Sequence, residues 1–299
     1  MPMIDLSNTP LPQISQRRSE SHKGDYGRTL IVGGSLGMAG APALAAMSCL
    51  RSGAGLVGIA TPSCVQPTVA AYCPAYTTHA LADDGERVTI QASQHLDHLI
   101  DGADAVAIGP GLGRSKAITQ LVGQATTLAT PLVVDADGLN ALAERWSNKL
   151  RRIAPAAPLV LTPHAGEFER LSDKPLNDPN EDAERLDAAT ALVREIGGPE
   201  TVLLLKGPRT VVTDGEHYAV NATGNPGMAT GGSGDVLTGI IAALIGQGLS
   251  GFAAARIGAH VHGLAGDLAA AKLGQMSLIA TDLVDNLPQA WQSLDASPS

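Results

Sequence analysis

The chain has 299 residues, a formal net charge of −9, 44% hydrophobic residues and only 16% charged residues. A chain of this length and apolar content can bury a large core, which argues against extensive disorder. The acidic balance, without any basic stripe, argues against a nucleic-acid-binding protein. The three cysteines, Cys49, Cys64 and Cys73, form no CxxC pair, and this odd count favours reduced thiols in a cytoplasmic protein.

The N-terminal segment, residues 1–20, is polar, contains three prolines and shows no periodicity. It is predicted to be a flexible lead-in. It has no basic stretch followed by an apolar one, so no signal peptide is expected. A single folded domain is predicted over residues 21–295.

Eight β-prone runs are predicted as strands. They are Thr29–Val32, Leu56–Ala60, Ala105–Ile108, Leu132–Val134, Leu159–Leu161, Val202–Leu205, Thr210–Thr213 and His217–Val220. The first six are continuous apolar runs, as is typical of parallel strands covered on both faces. The last two flank Asp214-Gly215-Glu216, which predicts an antiparallel hairpin at the edge of the sheet.

Helical patterns lie between and after these strands. They are Ala41–Arg51, Ser115–Leu128, Glu181–Ile196, Val236–Ile245 and Gly251–Leu273. Strand–helix alternation of this kind predicts a doubly wound α/β fold, in which ligands bind at the carboxyl ends of the strands. The segment from Val236 to Ala255 is uncharged, but glycines interrupt it, so two buried helices are expected rather than a membrane span.

The strongest local motif is Thr230-Gly231-Gly232-Ser233-Gly234-Asp235, which leads directly into an apolar helix. Glycines allow consecutive N–H groups to point at one place, and the helix N-terminus adds its positive dipole end. Gly231–Gly234 is therefore a candidate anion hole for phosphate. Asp235 could be a catalytic base or an ordinary N-cap, and the spacing favours neither. The helix dipole is expected to lower the pKa of Asp235.

Two further motifs follow strands. Lys206-Gly207-Pro208-Arg209-Thr210 could hold a nucleotide phosphate or be a charged turn. Thr162-Pro163-His164-Ala165-Gly166-Glu167 places His164 where the chain leaves the sheet, although a lone histidine is more often structural. Glu167 fits the first turn of the next helix.

Small-residue loops and an acidic pair complete the set. Gly33–Ala41 is not a Walker A loop, and Gly109–Gly113 is not GxGxxG. Asp135 and Asp137, within Asp135–Asn140, could help hold Mg²⁺ or belong to a capped turn.

Taken in order, these motifs resemble the NAD(P)H-hydrate dehydratase family of the ribokinase-like superfamily. The resemblance begins at His22-Lys23-Gly24-Asp25-Tyr26-Gly27, includes Asn225–Thr230 before the glycines, and extends to about Leu287. It implies a three-layer α/β/α fold. It also implies that ADP or ATP, with Mg²⁺, phosphorylates the C6 hydroxyl of the S epimer of hydrated NADH or NADPH (NADHX or NADPHX), and that loss of phosphate restores the cofactor.

The resemblance also assigns residues. Ala41, Gly113, His164 and Asp235 are implied contacts of the hydrate, and Asp235 is also the implied catalytic base. Lys206 to Thr210 and Gly234 are implied contacts of the nucleotide. No metal ligand is assigned.

Family members often carry an epimerase domain, and only about twenty residues precede the match here. The resemblance therefore implies a separate epimerase as functional partner, ADP as the preferred donor, and a homotetramer in which the Ala- and Gly-rich C-terminal helices could form an interface. The alternatives are a vitamin-precursor kinase of the same superfamily and, in another class, a nucleotide-binding sensor without turnover.

Overall fold

The computed structural model of the protein describes residues 3–146, 157–198 and 200–295. The strands are β1 Ile4–Asp5, β2 Arg28–Val32, β3 Leu56–Pro62, β4 Thr77–Leu81, β5 Ala105–Ile108, β6 Leu132–Val134, β7 Leu159–Leu161, β8 Thr201–Leu205, β9 Val211–Thr213 and β10 His217–Val220. The helices are α1 Gly40–Arg51, α2 Gln66–Tyr72, α3 Ser93–Asp101, α4 Lys116–Ala125, α5 Asp137–Trp146, α6 Ala165–Ser172, α7 Asp182–Ile196, α8 Ser233–Gly246, α9 Gly251–Leu273 and α10 Ala280–Asp295.

Within the described ranges, ten strands form one sheet in the order β1-β10-β9-β8-β7-β6-β5-β2-β3-β4. All neighbouring pairs are parallel except β8 with β9 and β9 with β10. The predicted mainly parallel sheet and its hairpin are thus confirmed. The hairpin is not outermost, however, because β1 pairs with β10 and covers its free edge.

Two apolar cores sandwich this sheet. Alternate residues of each strand point to opposite faces, so Ile31 packs with α1, α8, α9 and α10, while Leu30 and Val32 pack with α3 to α7. This is the predicted three-layer α/β/α arrangement. The chain proceeds from β2 to β3 and β4 on one side and then crosses to β5 on the other, so the direction of winding reverses between β2 and β5. Such a reversal opens a crevice at the carboxyl ends of the two strands.

The Ala- and Gly-rich helices α8 and α9 lie inside the monomer. A Cβ on Gly239 would be 1.9 Å from the Ala45 carbonyl oxygen, so α8 packs closely against α1. Ala254, Ala255 and Ala265 of α9 are fully buried. The small residues of these helices therefore serve packing within the chain, and the prediction that they form a subunit interface is wrong for these buried positions.

The uncharged segment from Val236 to Ala255 forms most of α8 and the start of α9, as predicted. They are separated by the turn at Gly248, which has a φ of +92°. Across the residues described, no helix is both long and apolar enough to cross a membrane.

The N-terminal segment makes more contacts than its composition predicted. Besides the strand β1, Leu11 and Ile14 pack against the core, and the Arg17 guanidinium donates to the Gly53 carbonyl at 2.5 Å. These anchors hold the lead-in at separate points although it has no long element of its own.

Candidate active site

The loop before α8 turns sharply at Gly232, whose φ is +90°. A Cβ there would lie 2.6 Å from Leu44 Cδ1 and 2.9 Å from Ala280 Cβ, so a larger residue does not fit. Gly232 is the N-cap of α8, the Ser233 N–H donates to the Thr230 carbonyl at 3.4 Å, and the Gly234 N–H of the first turn has no acceptor within the helix. This is the geometry expected of an anion hole.

Asp235 is the third residue of α8 and not its N-cap. Of the two alternatives left open for Asp235, the capping role is therefore wrong. The carboxylate is half-buried in the first turn, within the electrostatic influence of Lys206 and Asp135.

The pKa of Asp235 is raised to about 7. Burial is the main cause, and the negative charge of Asp135 adds to it, while the ammonium of Lys206 opposes both. The net shift is opposite to the lowering expected from the helix dipole, because burial and the neighbouring carboxylates raise the pKa of Asp235. A carboxyl that titrates near pH 7 is suited to take a proton at neutral pH.

Lys206 connects the end of β8 with the first turn of α8. Its Nζ donates to Asp135 Oδ1 at 2.7 Å and lies 3.8 Å from Glu167 Oε2. Burial lowers the pKa of Lys206, but the attraction of Asp135 and Glu167 outweighs it, and the net pKa is raised. Lys206 therefore remains an ammonium at the site.

Gly234 faces this ammonium. A Cβ on Gly234 would be 3.2 Å from Lys206 Nζ, so the glycine backbone and the positive charge border the same space. An anionic group placed there would meet helix N–H donors on one side and the ammonium on the other. Gly231 is exposed, and of the residues described, none beyond its two chain neighbours lies within 4 Å of where its Cβ would be.

Asp135 is a structural partner of Lys206. The residue is 1% exposed, and its second oxygen, Oδ2, accepts from the Thr238 hydroxyl of α8 at 2.6 Å. Asp137 lies in the first turn of α5, where its Oδ2 accepts from the Gly113 N–H at 2.8 Å. Both carboxylates hold neighbouring loops, and in the part of the chain that the structure describes no three His, Cys, Asp or Glu residues form a metal-binding group. The hypothesis of an Asp135–Asp137 metal pair thus gains no support from the geometry.

His164 caps α6. Its Nδ1 accepts from the Glu167 N–H at 3.3 Å, and the Glu167 carboxylate accepts from the His164 N–H at 2.9 Å, which completes a reciprocal capping box. The expectation that Glu167 lies in the first helical turn is confirmed. The His164 side chain remains 55% exposed, so it fills a structural role and still presents its ring to the crevice edge.

Ala41, at the start of α1, and Gly113, in the loop after β5, both lie at the reversal between β2 and β5. The Ser35 hydroxyl donates to the Gly111 carbonyl at 2.7 Å, and a Cβ on Gly111 would lie 3.2 Å from Ala41 Cβ. Gly113 has a φ of +75°. The loops that follow β2 and β5 therefore meet, as the strand-end argument predicted.

The turn Gly207-Pro208-Arg209 is exposed, and its base is held by Arg185, which sequence patterns did not single out. Arg185 is 1% exposed and donates to the Arg209 carbonyl at 2.6 Å and to the Leu205 carbonyl at 2.8 Å. An arginine on the apolar face of the α7 pattern, four residues before Ala189, was the available signal.

A cavity of about 220 Å³ with both polar and apolar walls opens beside this turn. The Asn221 N–H donates to the Thr210 carbonyl, which connects the cavity wall to the turn. The walls come from the end of β10, from α9 and from the N-terminal segment at Ser7 and Thr9.

Comparison with known proteins places this geometry in a family. A family model described as NAD(P)H-hydrate dehydratase matches residues 29–289. The chain belongs to the NAD(P)H-hydrate dehydratase family.

The individual relatives agree. A bifunctional NAD(P)H-hydrate repair enzyme Nnr of Moorella thermoacetica is 46% identical over 287 residues, covering 95% of this chain and 52% of that enzyme. The chain thus spans about half the length of the curated relatives it matches. The structure of an ADP/ATP-dependent NAD(P)H-hydrate dehydratase from Bacillus subtilis, co-crystallised with ATP/Mg²⁺, aligns with a TM-score of 0.80 at 30% identity, covering 96% of this chain and 99% of that one. A ribokinase-like superfamily protein of Enterococcus faecalis aligns with a TM-score of 0.79 at 27% identity, covering 94% and 92% of the two chains. The ribokinase-like fold and the family membership are thereby shown.

Within this dehydratase fold, the predicted residues divide into two groups. Lys206, Gly234 and Asp235 surround one space, to which Glu167 connects His164. Ala41 and Gly113 line the reversal between β2 and β5 and are connected to α5 through Asp137.

Proposed function

We propose that the chain catalyses the ADP- or ATP-dependent dehydration of the S epimer of NADHX or NADPHX, and so repairs hydrated nicotinamide cofactors. The observation that carries this proposal is a carboxyl, Asp235, with a pKa of about 7 beside a helix-terminal anion hole and the Lys206 ammonium. A base and a phosphate-binding site in contact are what phosphorylation of a hydroxyl requires.

The proposed reaction has two stages. Asp235 takes the proton of the C6 hydroxyl while the hydroxyl oxygen attacks the terminal phosphorus of the donor. The bond between that phosphorus and the rest of the nucleotide breaks. Lys206 and the N–H groups of Gly231–Gly234 stabilise the charge of the transferring phosphoryl group. The C6–O bond then breaks with departure of phosphate as the ring nitrogen's lone pair forms a double bond to C6. Loss of a proton from C5 restores the dihydropyridine, so ADP yields AMP and phosphate.

The substrates are proposed to occupy the two groups of residues in the crevice. Ala41, Gly113, His164 and Asp235 would contact the hydrate. Lys206, Gly207, Pro208, Arg209, Thr210 and Gly234 would contact the nucleotide. The cavity bordered by Asn221 adjoins Thr210, and we place the nucleoside of the donor there.

Mg²⁺ is proposed as a companion of the nucleotide. Mg²⁺ keeps several waters and is commonly held by substrate phosphates with one or two carboxylates. The charges of Asp135 and Asp137 are already used by Lys206, Thr238 and Gly113. The residues therefore fit an ion bound mainly by the donor's phosphates better than an ion enclosed by protein ligands. Such an ion would neutralise the charge of the donor.

The test uses hydrated NADH with Mg²⁺ and follows absorbance of the reduced nicotinamide with ADP, with ATP and without nucleotide. Nucleotide-dependent recovery of absorbance in the wild type, reduced by about 10²-fold or more in Asp235→Asn, is the expected result. The faster nucleotide identifies the donor, and ADP is expected. If a vitamin precursor gives a stable phosphorylated product and the hydrate gives none, the vitamin-precursor kinase replaces this proposal. Tight nucleotide binding without turnover of either would favour the sensor.

Three properties of the protein in the cell are proposed with it. The chain is proposed to act in the cytoplasm, to depend on an epimerase activity that supplies the S epimer, and to form a homotetramer through surfaces other than the buried faces of α8 and α9. A monomeric mass by light scattering at micromolar concentration would contradict the tetramer. A mixture of both hydrate epimers should be consumed only by half until an epimerase is added.

A further inference from the structure

Helix α9 packs against α8, and His262 of α9 contacts the first turn of α8. Its Nε2 lies 2.9 Å from the Ser233 carbonyl oxygen. Burial lowers the pKa of His262 to about 4, with a further lowering from the charge of Lys206, while the bond to Ser233 acts in the opposite direction. The ring is therefore neutral at pH 7. Because a carbonyl oxygen can only accept, the hydrogen of this neutral ring is on Nε2.

This contact fixes the direction of a donor in the anion hole. The Ser233 carbonyl and the Gly234 N–H belong to one planar, trans peptide, so they point in opposite directions. The Gly234 N–H is among the first four of α8, which have no intrahelical acceptor. An anchor on the Ser233 oxygen consequently sets where the Gly234 N–H points.

The same helix holds the loop that leads to the anion hole. Asp267 accepts from the Gly224 N–H at 2.9 Å and from the Asn225 amide at 2.9 Å. A Cβ on Gly263 would lie 2.2 Å from Thr223 Oγ1, so the loop lies directly on α9. The start of the loop, at Thr223 to Asn225, is thus held by α9, and His262 of the same helix contacts the end of the loop at Ser233.

We propose that His262 is a positioning residue of the phosphoryl-transfer site. By donating to the Ser233 carbonyl it holds the Ser233–Gly234 peptide so that the Gly234 N–H points at the phosphate. This inference rests on the proposed function, because it gives the anion hole its purpose. His262 belongs to none of the sequence motifs described above.

Two amide variants separate this role from packing. In His262→Gln the amide nitrogen can reach the place of Nε2, whereas in His262→Asn it is one methylene short. Loss of an aimed donor at such a site costs up to about 10²–10³-fold in kcat. We expect His262→Asn to lower kcat by about 10- to 100-fold with little change in the KM for hydrate, and His262→Gln to stay within about 3-fold of the wild type.

The control is His79, a half-buried histidine of the edge strand β4, whose pKa is also lowered by burial. His79→Asn should leave kcat unchanged, and thermal unfolding is recorded for all variants. Equal kcat in His262→Asn and the wild type would overturn the proposal. Equal losses in the Asn and Gln variants, matched by equal losses of Tm, would also overturn it, because they indicate packing alone.

A second readout keeps this test separate from the proposed function. The Kd of ADP is measured by calorimetry on the same variants, and His262→Asn should weaken binding while His262→Gln restores it. If the wild type binds ADP but does not turn over the hydrate, the proposed function fails while the contrast in Kd still decides on His262. An unchanged Kd in His262→Asn, together with an unchanged or absent turnover, would refute the positioning role.

Discussion

Replacement of Asp235 by asparagine should stabilise the folded protein, and the gain should depend on pH. The pKa of this carboxyl rises from 3.8 to about 7 on folding. A carboxyl with a raised pKa binds more protons when folded, so its contribution to stability is lost as pH rises from about 4 through 7. A shift of about three units corresponds to about 4 kcal/mol.

Asparagine has the shape of the protonated carboxyl and does not ionise. The free energy of unfolding of Asp235→Asn should therefore exceed that of the wild type by up to about 4 kcal/mol at pH 8, and the difference should shrink towards zero near pH 4. Urea unfolding followed by circular dichroism at several pH values between 4 and 8 measures it.

The control for this experiment is Asp83. Burial acts to raise its pKa, but hydrogen bonds from the Gly85 and Cys64 N–H groups lower it overall. Asp83→Asn should be less stable than the wild type at pH 8, which is the opposite sign. A gain for Asp235→Asn that is equal at all pH values, or a loss at pH 8, would refute the assignment of a half-buried base with a raised pKa.

Three further predictions concern the same site. The kcat/KM of the wild type should rise with pH and level off above about 7, since Asp235 must be ionised to accept a proton, and a flat profile from pH 6 to 8 would contradict its role. Lys206→Met should leave the Asp135 carboxylate buried without its ion pair, lower the free energy of unfolding by about 3–5 kcal/mol and abolish nucleotide binding; wild-type unfolding in urea would count against the ion pair. Gly234→Ala should increase the KM for nucleotide, because its Cβ would lie 3.2 Å from Lys206 Nζ, while the better helix former adds about 1 kcal/mol of stability; an unchanged KM would show that phosphate does not approach this position.

The sequence predicted the buried strands well because their signal is local. Val133 and Val160, in the centre of short apolar runs, are fully buried in the sheet. The strand Thr77–Leu81 was missed because it lies at the sheet edge and is polar and half-exposed, so it lacks an apolar run. Helix α10 continues through Pro288 to Asp295, where packing of Trp291 against the core compensates for the proline.

The sequence predicted that several candidate site residues lie near one another, but it did not predict the electrostatics around them. Strand ends and glycine motifs placed Lys206, Gly234 and Asp235 at one edge of the sheet. The pKa of Asp235 is raised first by burial and then by the charge of Asp135, which is 100 positions away in the chain and acts only through space. His262 was missed because it binds a backbone carbonyl, which leaves no side-chain motif, whereas Arg185 left one signal, a charge on the apolar face of α7, that does not name its carbonyl partner.

The strand β1 has a consequence for the order in which the molecule assembles. Ile4 pairs with His217, and the Val220 N–H donates to the Ser7 hydroxyl across 213 positions of sequence. This partner strand does not exist until most of the chain has been synthesised, and closing so long a loop costs entropy that a two-residue strand repays poorly. The residues of β1 precede β10 in the chain and should thus be among the last of this sheet to dock. Their docking closes the outer wall of the cavity at Ser7 and Thr9, so that wall is completed only after the rest of the sheet has formed.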